Sequence, residues 1–206
     1  MNWKPEPSPY GAFKRATLKN SLSVSEFIYQ LGEYPQLKEP SSEVALDKLY
    51  SKNTQKKLSY LKKCLTTYRN KTGFGRGIAG VQLGIPERFA AVFLNNKIQV
   101  IINPKITKIS HDKYLYSEMC MSICPVIAPV IRPAWIEFSF YDEYGKKKYW
   151  TTKDKTKQSR MINRVFQHEI DHMNGVLNID LVSSPKDLLL LSDPSFYKSA
   201  VFEEVK

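Results

Sequence analysis

Gln167-His168-Glu169-Ile170-Asp171-His172-Met173-Asn174-Gly175 lies near the end of a 206-residue chain and holds two of its three histidines. Residues four apart share one face of an α-helix, one above the other. The pattern predicts a helix from about Gln158 to Met173, closed by Asn174-Gly175. On that helix the imidazoles of His168 and His172 can reach one metal ion. Glu169 then lies beside the ion without ligating it, placed to take a proton from a bound water. By itself the motif also fits an amphipathic surface helix that happens to carry two histidines.

A third protein ligand separates the reaction classes open to such a site. The extended zinc peptidase pattern continues His-x-x-Gly-x-x-His, but here the last position is Asn178. Peptidases that draw a glutamate from a later helix have only Glu203 and Glu204 available, both in the final tail. Upstream, Cys120 offers sulfur in the run Glu118-Met119-Cys120-Met121-Ser122, with Cys124 a rival four residues on.

Around these motifs the chain reads as one α+β body. Residues 1–32 form an N-terminal extension, with three prolines in the first nine residues and a short helix at 24–31. Residues 43–70 carry Leu46, Leu49, Leu58, Leu61 and Leu65 at helical steps and predict the first long helix, with Cys64 as a buried thiol. Gly73–Gln82 is a glycine-rich loop; it follows a helix and lacks Gly-Lys-Ser/Thr, so it is no phosphate loop. Gln82, at its end, carries an amide suited to holding a carbonyl oxygen. Residues 88–93 and 97–102 form a hairpin about Leu94-Asn95-Asn96, ended by Asn103-Pro104. Lys105–Ser110 and Tyr114–Ser117 are short strands, and 134–141 pairs with 147–152. Val176–Leu181 reads as a strand, and Ser184-Pro185 opens a short helix at 186–191 within a tail spanning 183–206.

Hydrophobic residues make up 42% of the chain and charged ones 25%, which is ordinary for a globular protein. No stretch approaches the roughly 20 apolar residues of a membrane span, and the start lacks an apolar signal core. Three cysteines do not make a disulfide framework and suit a reducing compartment. The net charge of +11 favours an acidic partner such as RNA, although a dispersed, solvated surface accounts for it as well.

Three motifs in order resemble the peptide deformylase family: Gly77-Ile78-Ala79-Gly80-Val81-Gln82, Glu118-Met119-Cys120-Met121-Ser122 and His168-Glu169-Ile170-Asp171-His172. The family patterns are Gly-hydrophobic-Ala-Ala-x-Gln, Glu-Gly-Cys-Leu-Ser and His-Glu-hydrophobic-Asp-His. The similarity extends over residues 33–182, a catalytic domain in which antiparallel sheets pack around a central metal-binding helix. It implies removal of the formyl group from N-formylmethionyl nascent peptides, with formate as product. Cys120, His168 and His172 would hold one divalent metal ion, natively Fe2+, with Zn2+, Ni2+ or Co2+ also suited to such donors. Glu169 would act as general base on metal-bound water. The Gln82 amide and the Met121 backbone N–H would hold the oxyanion, each such donor being worth about 3 kcal/mol. Glu118 and Arg132 would pair behind the site, Asp171 would be structural, and Gly77, Ile78 and Val165 would wall the methionine pocket.

Met119 in place of the family glycine is the largest departure, since glycine grants either an unusual backbone angle or close approach. Gly80 for alanine, Met121 for leucine and Asn163 for alanine are milder. A related hydrolase of another small amide, and a weakly catalytic homologue that binds RNA or ribosomes through the basic surface, are the alternatives. The expected setting is the cytoplasm, with an organelle left open, and neither a membrane nor DNA is an expected partner.

Overall fold

The computed structural model describes residues 27–73, 75–191, 193 and 203–205. Two antiparallel sheets flank one helix. Helix α1 (Lys52–Thr72) precedes strands β1 (Gly77–Ala79), β2 (Phe89–Leu94) and β3 (Lys97–Ile109). Strands β4 (Lys113–Met119), β5 (Val126–Pro133), β6 (Ile136–Tyr141) and β7 (Lys147–Trp150) follow. Helix α2 (Lys157–Met173) and the short strands β8 (Leu189–Leu190) and β9 (Glu203–Val205) complete the order. One sheet runs β1-β2-β3-β6-β7 and the other β8-β5-β4-β9.

Strand β2 explains the layering. Successive strand residues face opposite sides. Phe89 and Ala91 pack with Leu58, Leu61, Leu65 and Tyr68 of α1. Ala90 and Val92 pack on the other face with Phe166 and Ile170 of α2. Rings of Phe138 and Trp150 lie 4.9 and 4.7 Å from that of Phe166 and fasten α2 to β6 and β7. Asn163 adds a polar anchor: its Oδ1 accepts from Ile136 N and Trp150 Nε1, and its Nδ2 donates to the carbonyls of Thr152 and Ser159.

Several boundaries differ from the sequence reading. The first helix begins at Lys52, where the Ser51 side chain caps Thr54 N, and not at residue 43. Upstream, the Asn103 side chain accepts from Val44 N and donates to Val44 O, which occupies the groups a helix would need. Asn103-Pro104 does not end its strand. It makes an irregularity between Ile102 and Lys105, with Asn103 at φ +48°, where a proline without an N–H is tolerated. The hairpin turn is as expected, with Asn95 and Asn96 at φ +48° and +61°. Residues 176–181 form no strand; Asn178–Leu181 is a 3-10 turn whose preceding N–H, on Leu177, is capped by Asp180. The helix expected at 186–191 is a turn at Pro185–Asp187 followed by β8, which pairs with Val126 and Ile127. Strand β5 went unread because Pro129 and Pro133 break its pattern, and β8 covers only its first residues. Of the helix expected at 24–31, residues 24–26 lie outside the described residues and those from Phe27 on form no α-helix. Ile28 is nonetheless buried in the core.

Candidate metal centre

Helix α2 is fixed at both ends, and this sets the angle of its side chains. Thr156 caps Ser159 N at the start. At the end, Gly175 at φ +74° donates to His172 O while Val176 N reaches Asp171 O, the paired bonds of a Schellman cap. A Cβ on Gly175 would lie 2.5 Å from Lys38 O, so no other residue fits there.

Cys120 follows the last residue of β4, and His168 and His172 project from α2 toward it. Their ligand atoms all lie within 4.8 Å of one another. His172 Nε2 is 3.3 Å from Cys120 Sγ, and both side chains are almost wholly buried. A sulfur and two imidazoles are a donor set for a divalent transition metal, so these residues fit such an ion. The rival Cys124 lies outside this cluster. Burial holds the His172 ring neutral, as a ligand must be. For His168, burial opposes charge, but hydrogen bonds to Cys120 and Glu118 reverse it and raise its pKa well above the usual range. Both neighbours therefore favour positive charge at this position, which a bound metal ion would supply in place of the proton.

Behind the histidines stands a buried carboxylate. Glu118 accepts from Arg132 Nε at 2.7 Å and Nη2 at 3.1 Å, from Arg164 Nη1 at 2.6 Å, and contacts His168 Nδ1 at 3.0 Å. Burial pushes the Glu118 carboxyl up, yet Arg132 and His168 hold it well below the usual carboxylate range. With Nδ1 engaged, Nε2 of His168 is left to face Cys120 and His172. Arg132 also reaches Asp171 at 2.5 Å. Arg164, one helical turn before His168, was not singled out by the sequence reading. It donates to Tyr114 O and Val130 O as well and ties α2 to the second sheet. An arginine at helical spacing from a candidate ligand histidine was the available signal.

Glu169 is fully enclosed, and desolvation pushes its pKa up to about 7. Its Oε2 has no hydrogen-bond partner among the described residues. Gly77 lies directly against it: a Cβ there would sit 2.3 Å from Glu169 Oε1. Gln82 Oε1 accepts from Ala79 N at 2.9 Å, which turns its Nε2 toward Ser122 Oγ at 3.1 Å and Cys120 Sγ at 3.8 Å. Met121 opens the short 3-10 turn after Cys120, where the first N–H has no acceptor within the turn. A cavity of about 360 Å³ opens above these groups, lined by Gly77, Gln82, Met121, Val165, His168 and Glu169 among others. Ile78 does not line it; strand alternation turns that side chain into the core beneath α1, fully buried. Among the described residues no helix is long and apolar enough to cross a membrane.

Residues 27–187 match the family model described as "Polypeptide deformylase". The chain belongs to the peptide deformylase family. It is 33% identical over 201 residues to a peptide deformylase of Prochlorococcus marinus strain NATL2A, covering 90% of this chain and 92% of that one. The crystal structure of peptide deformylase from Thermotoga maritima superposes with TM-score 0.65 at 28% identity, over 76% of this chain and 97% of that one. A Synechococcus elongatus peptide deformylase in complex with actinonin aligns at TM-score 0.63 and 26% identity, over 84% of each chain. This deformylase is accordingly an α+β, metal-dependent hydrolase acting on formyl-methionyl peptides. Its departures from the family motifs have local explanations. Met119 is extended, paired with Ile127, and lines the cavity, so the site shows no unusual backbone angle there and the methionine fills space. A Cβ on Gly80 would meet Phe89 at 2.7 Å and Ile85 O at 2.8 Å, so glycine is required beside that ring. Asn178, where a peptidase would carry its ligand, is buried and donates to Glu118 O.

Proposed function

We propose that Glu169 is the general base of this deformylase, that Gln82 and Met121 hold the oxyanion, and that Cys120, His168 and His172 hold the metal. A divalent ion bound by these three would acidify a water molecule and polarise the formyl oxygen. Glu169, desolvated and with one oxygen unpartnered among the described residues, accepts the proton of the attacking water. As the carbonyl carbon becomes tetrahedral, the Gln82 Nε2–H and the Met121 N–H take up the charge on its oxygen. Glu169 then returns its proton to the amide nitrogen. The C–N bond breaks, and formate and a free methionyl amine leave. Val165 and Gly77 wall the methionine pocket, with Met119 narrowing it.

The observation that carries this assignment is Glu169, buried beside two ligand histidines with its carboxylate against Gly77. Formate release from formyl-Met-Ala-Ser tests it on anaerobically purified, metal-loaded protein. Wild type should exceed Glu169→Ala by at least about a hundredfold. Equal rates would remove Glu169 from its role. Ferrous iron is our assignment for the resident ion, on the strength of the family resemblance, and metal analysis of the same preparation checks it. Residues 33–182 are proposed as the catalytic unit, working in a cytoplasm on nascent chains and touching the ribosome through the basic surface. Salt-sensitive ribosome cosedimentation tests that contact.

A further inference from the structure

The catalytic cavity has a second, cationic neighbour. Arg76 is exposed and forms part of the wall of two hollows. One is the cavity above the metal ligands. The other has Arg69, Arg76, Asn95, Asn96 and Gln158 among its lining residues, together with Phe93, and no Asp or Glu lines it. The Arg69 guanidinium lies over the Phe93 ring, 3.4 Å from its centroid, and donates to Gly75 O. These partners fix its position but leave its charge uncompensated. The Arg76 side chain has no hydrogen-bond or ion-pair partner among the described residues. Lysines elsewhere that are partly or largely exposed do have carboxylates, as in Lys57–Glu87, Lys62–Glu143 and Lys153–Glu137. Burial and the nearby Arg76 charge both work against the charged form of Arg69, a strain that an anion between them would relieve.

The path from the reacting groups leads there. Gly77 presses on Glu169, and Gly75, Arg76 and Gly77 form consecutive cavity wall. A peptide leaving Glu169 along this wall passes Arg76 and meets the second hollow. We propose that Arg76 and Arg69 form an anion-selecting extension of the substrate cleft, which favours formyl-methionyl peptides with an acidic side chain downstream of methionine. Guanidinium forks and side-chain amides with no competing carboxylate suit a carboxylate ligand. This rests on the deformylase assignment and adds to it the class of sequence preferred.

The test is a charge scan. Formyl-Met-(Ala)4 peptides carry Asp or Lys singly at positions two to five, and kcat/KM is measured with metal-loaded protein. At one position or two, Asp should exceed Lys by about three- to tenfold, the range one or two partly exposed ion pairs supply. The difference should lie in KM, shrink in 0.5 M salt, fall within about twofold in Arg76→Gln and persist in Arg76→Lys. Equal rates at every position in wild type, or a preference untouched by Arg76→Gln, would overturn the proposal. Binding of the matching fluorescein-labelled, unformylated peptides is followed in parallel by anisotropy. If no peptide yields formate, the deformylase assignment fails, and the Asp-to-Lys ratio of dissociation constants still decides the subsite.

Discussion

Glu118→Gln tests the foundation of the metal site. In wild type two arginines and His168 Nδ1 converge on one carboxylate, and both guanidiniums and the carboxylate are about 5% exposed. Glutamine keeps the shape but removes the charge and turns one acceptor into a donor that faces cations. Arg132 retains Asp171, while Arg164 loses its bond to the carboxylate and retains those to the Tyr114 and Val130 carbonyls. Removing one partner of a buried ion pair typically costs about 3–5 kcal/mol. At roughly 2–4 °C per kcal/mol for a chain of this size, Tm should fall by roughly 6–20 °C. Loss of the acceptor that orients His168 should weaken metal affinity by about 10- to 100-fold, read by chelator competition. The folded-state pKa of Glu118 is depressed, so its contribution is full above the ordinary glutamate range and is lost as pH falls through the folded value. The Tm gap between wild type and variant should close in that direction. The double variant Glu118→Gln/Arg164→Met, which also removes the buried guanidinium whose carboxylate is lost, should be more stable than Glu118→Gln alone. A Tm within about 2 °C of wild type together with unchanged metal affinity would refute the reasoning.

Other perturbations follow from single contacts. Gly77→Ala places a methyl group 2.3 Å from Glu169 Oε1; formate release should fall by about tenfold or more with far-UV circular dichroism unchanged, and full activity would show that the base has room to shift. Phe166→Ala empties a fully buried site between two rings and should cost about 3–5 kcal/mol in urea unfolding, a loss below about 1 kcal/mol counting against a rigid core there. Burial pushes the Cys64 thiol up, so iodoacetamide at pH 7.5 should alkylate it only after denaturation, and equally rapid native labelling would contradict its place in the core.

Much of the site was legible because two of its candidate ligands follow helix geometry. His168, Glu169 and His172 needed only the four-residue spacing, and Asn174-Gly175 marked the helix end correctly. Cys120 was legible because it shares a motif with Glu118, which the structure brings against His168. Arg164 was not, because nothing local distinguishes a buried, paired arginine from a solvated one on an amphipathic helix. Ile78 was misplaced for a related reason: a glycine-rich run reads as loop, yet Gly77–Ala79 pairs with β2 and alternates. Strand β5, with its prolines, depends on a neighbour distant in sequence that the local pattern does not display.

The segment before residue 33 has a practical consequence. Tyr29 N donates to Gln82 O, Leu31 N to Ser122 O, and Gln30 Nε2 to Met121 O. Three neighbouring residues thus stitch the Gln82 turn to the Met121 turn, the two loops proposed to supply the oxyanion donors. What looks like a leader is a clasp. A protein trimmed to residue 33 would keep Cys120, His168, His172 and Glu169, yet the two proposed donors would no longer be spaced by the same stitch. Engineers choosing where to begin the polypeptide should therefore start upstream of Phe27, and on the proposed roles a protease that nicks this segment would lower turnover while leaving the Cys120, His168 and His172 cluster whole.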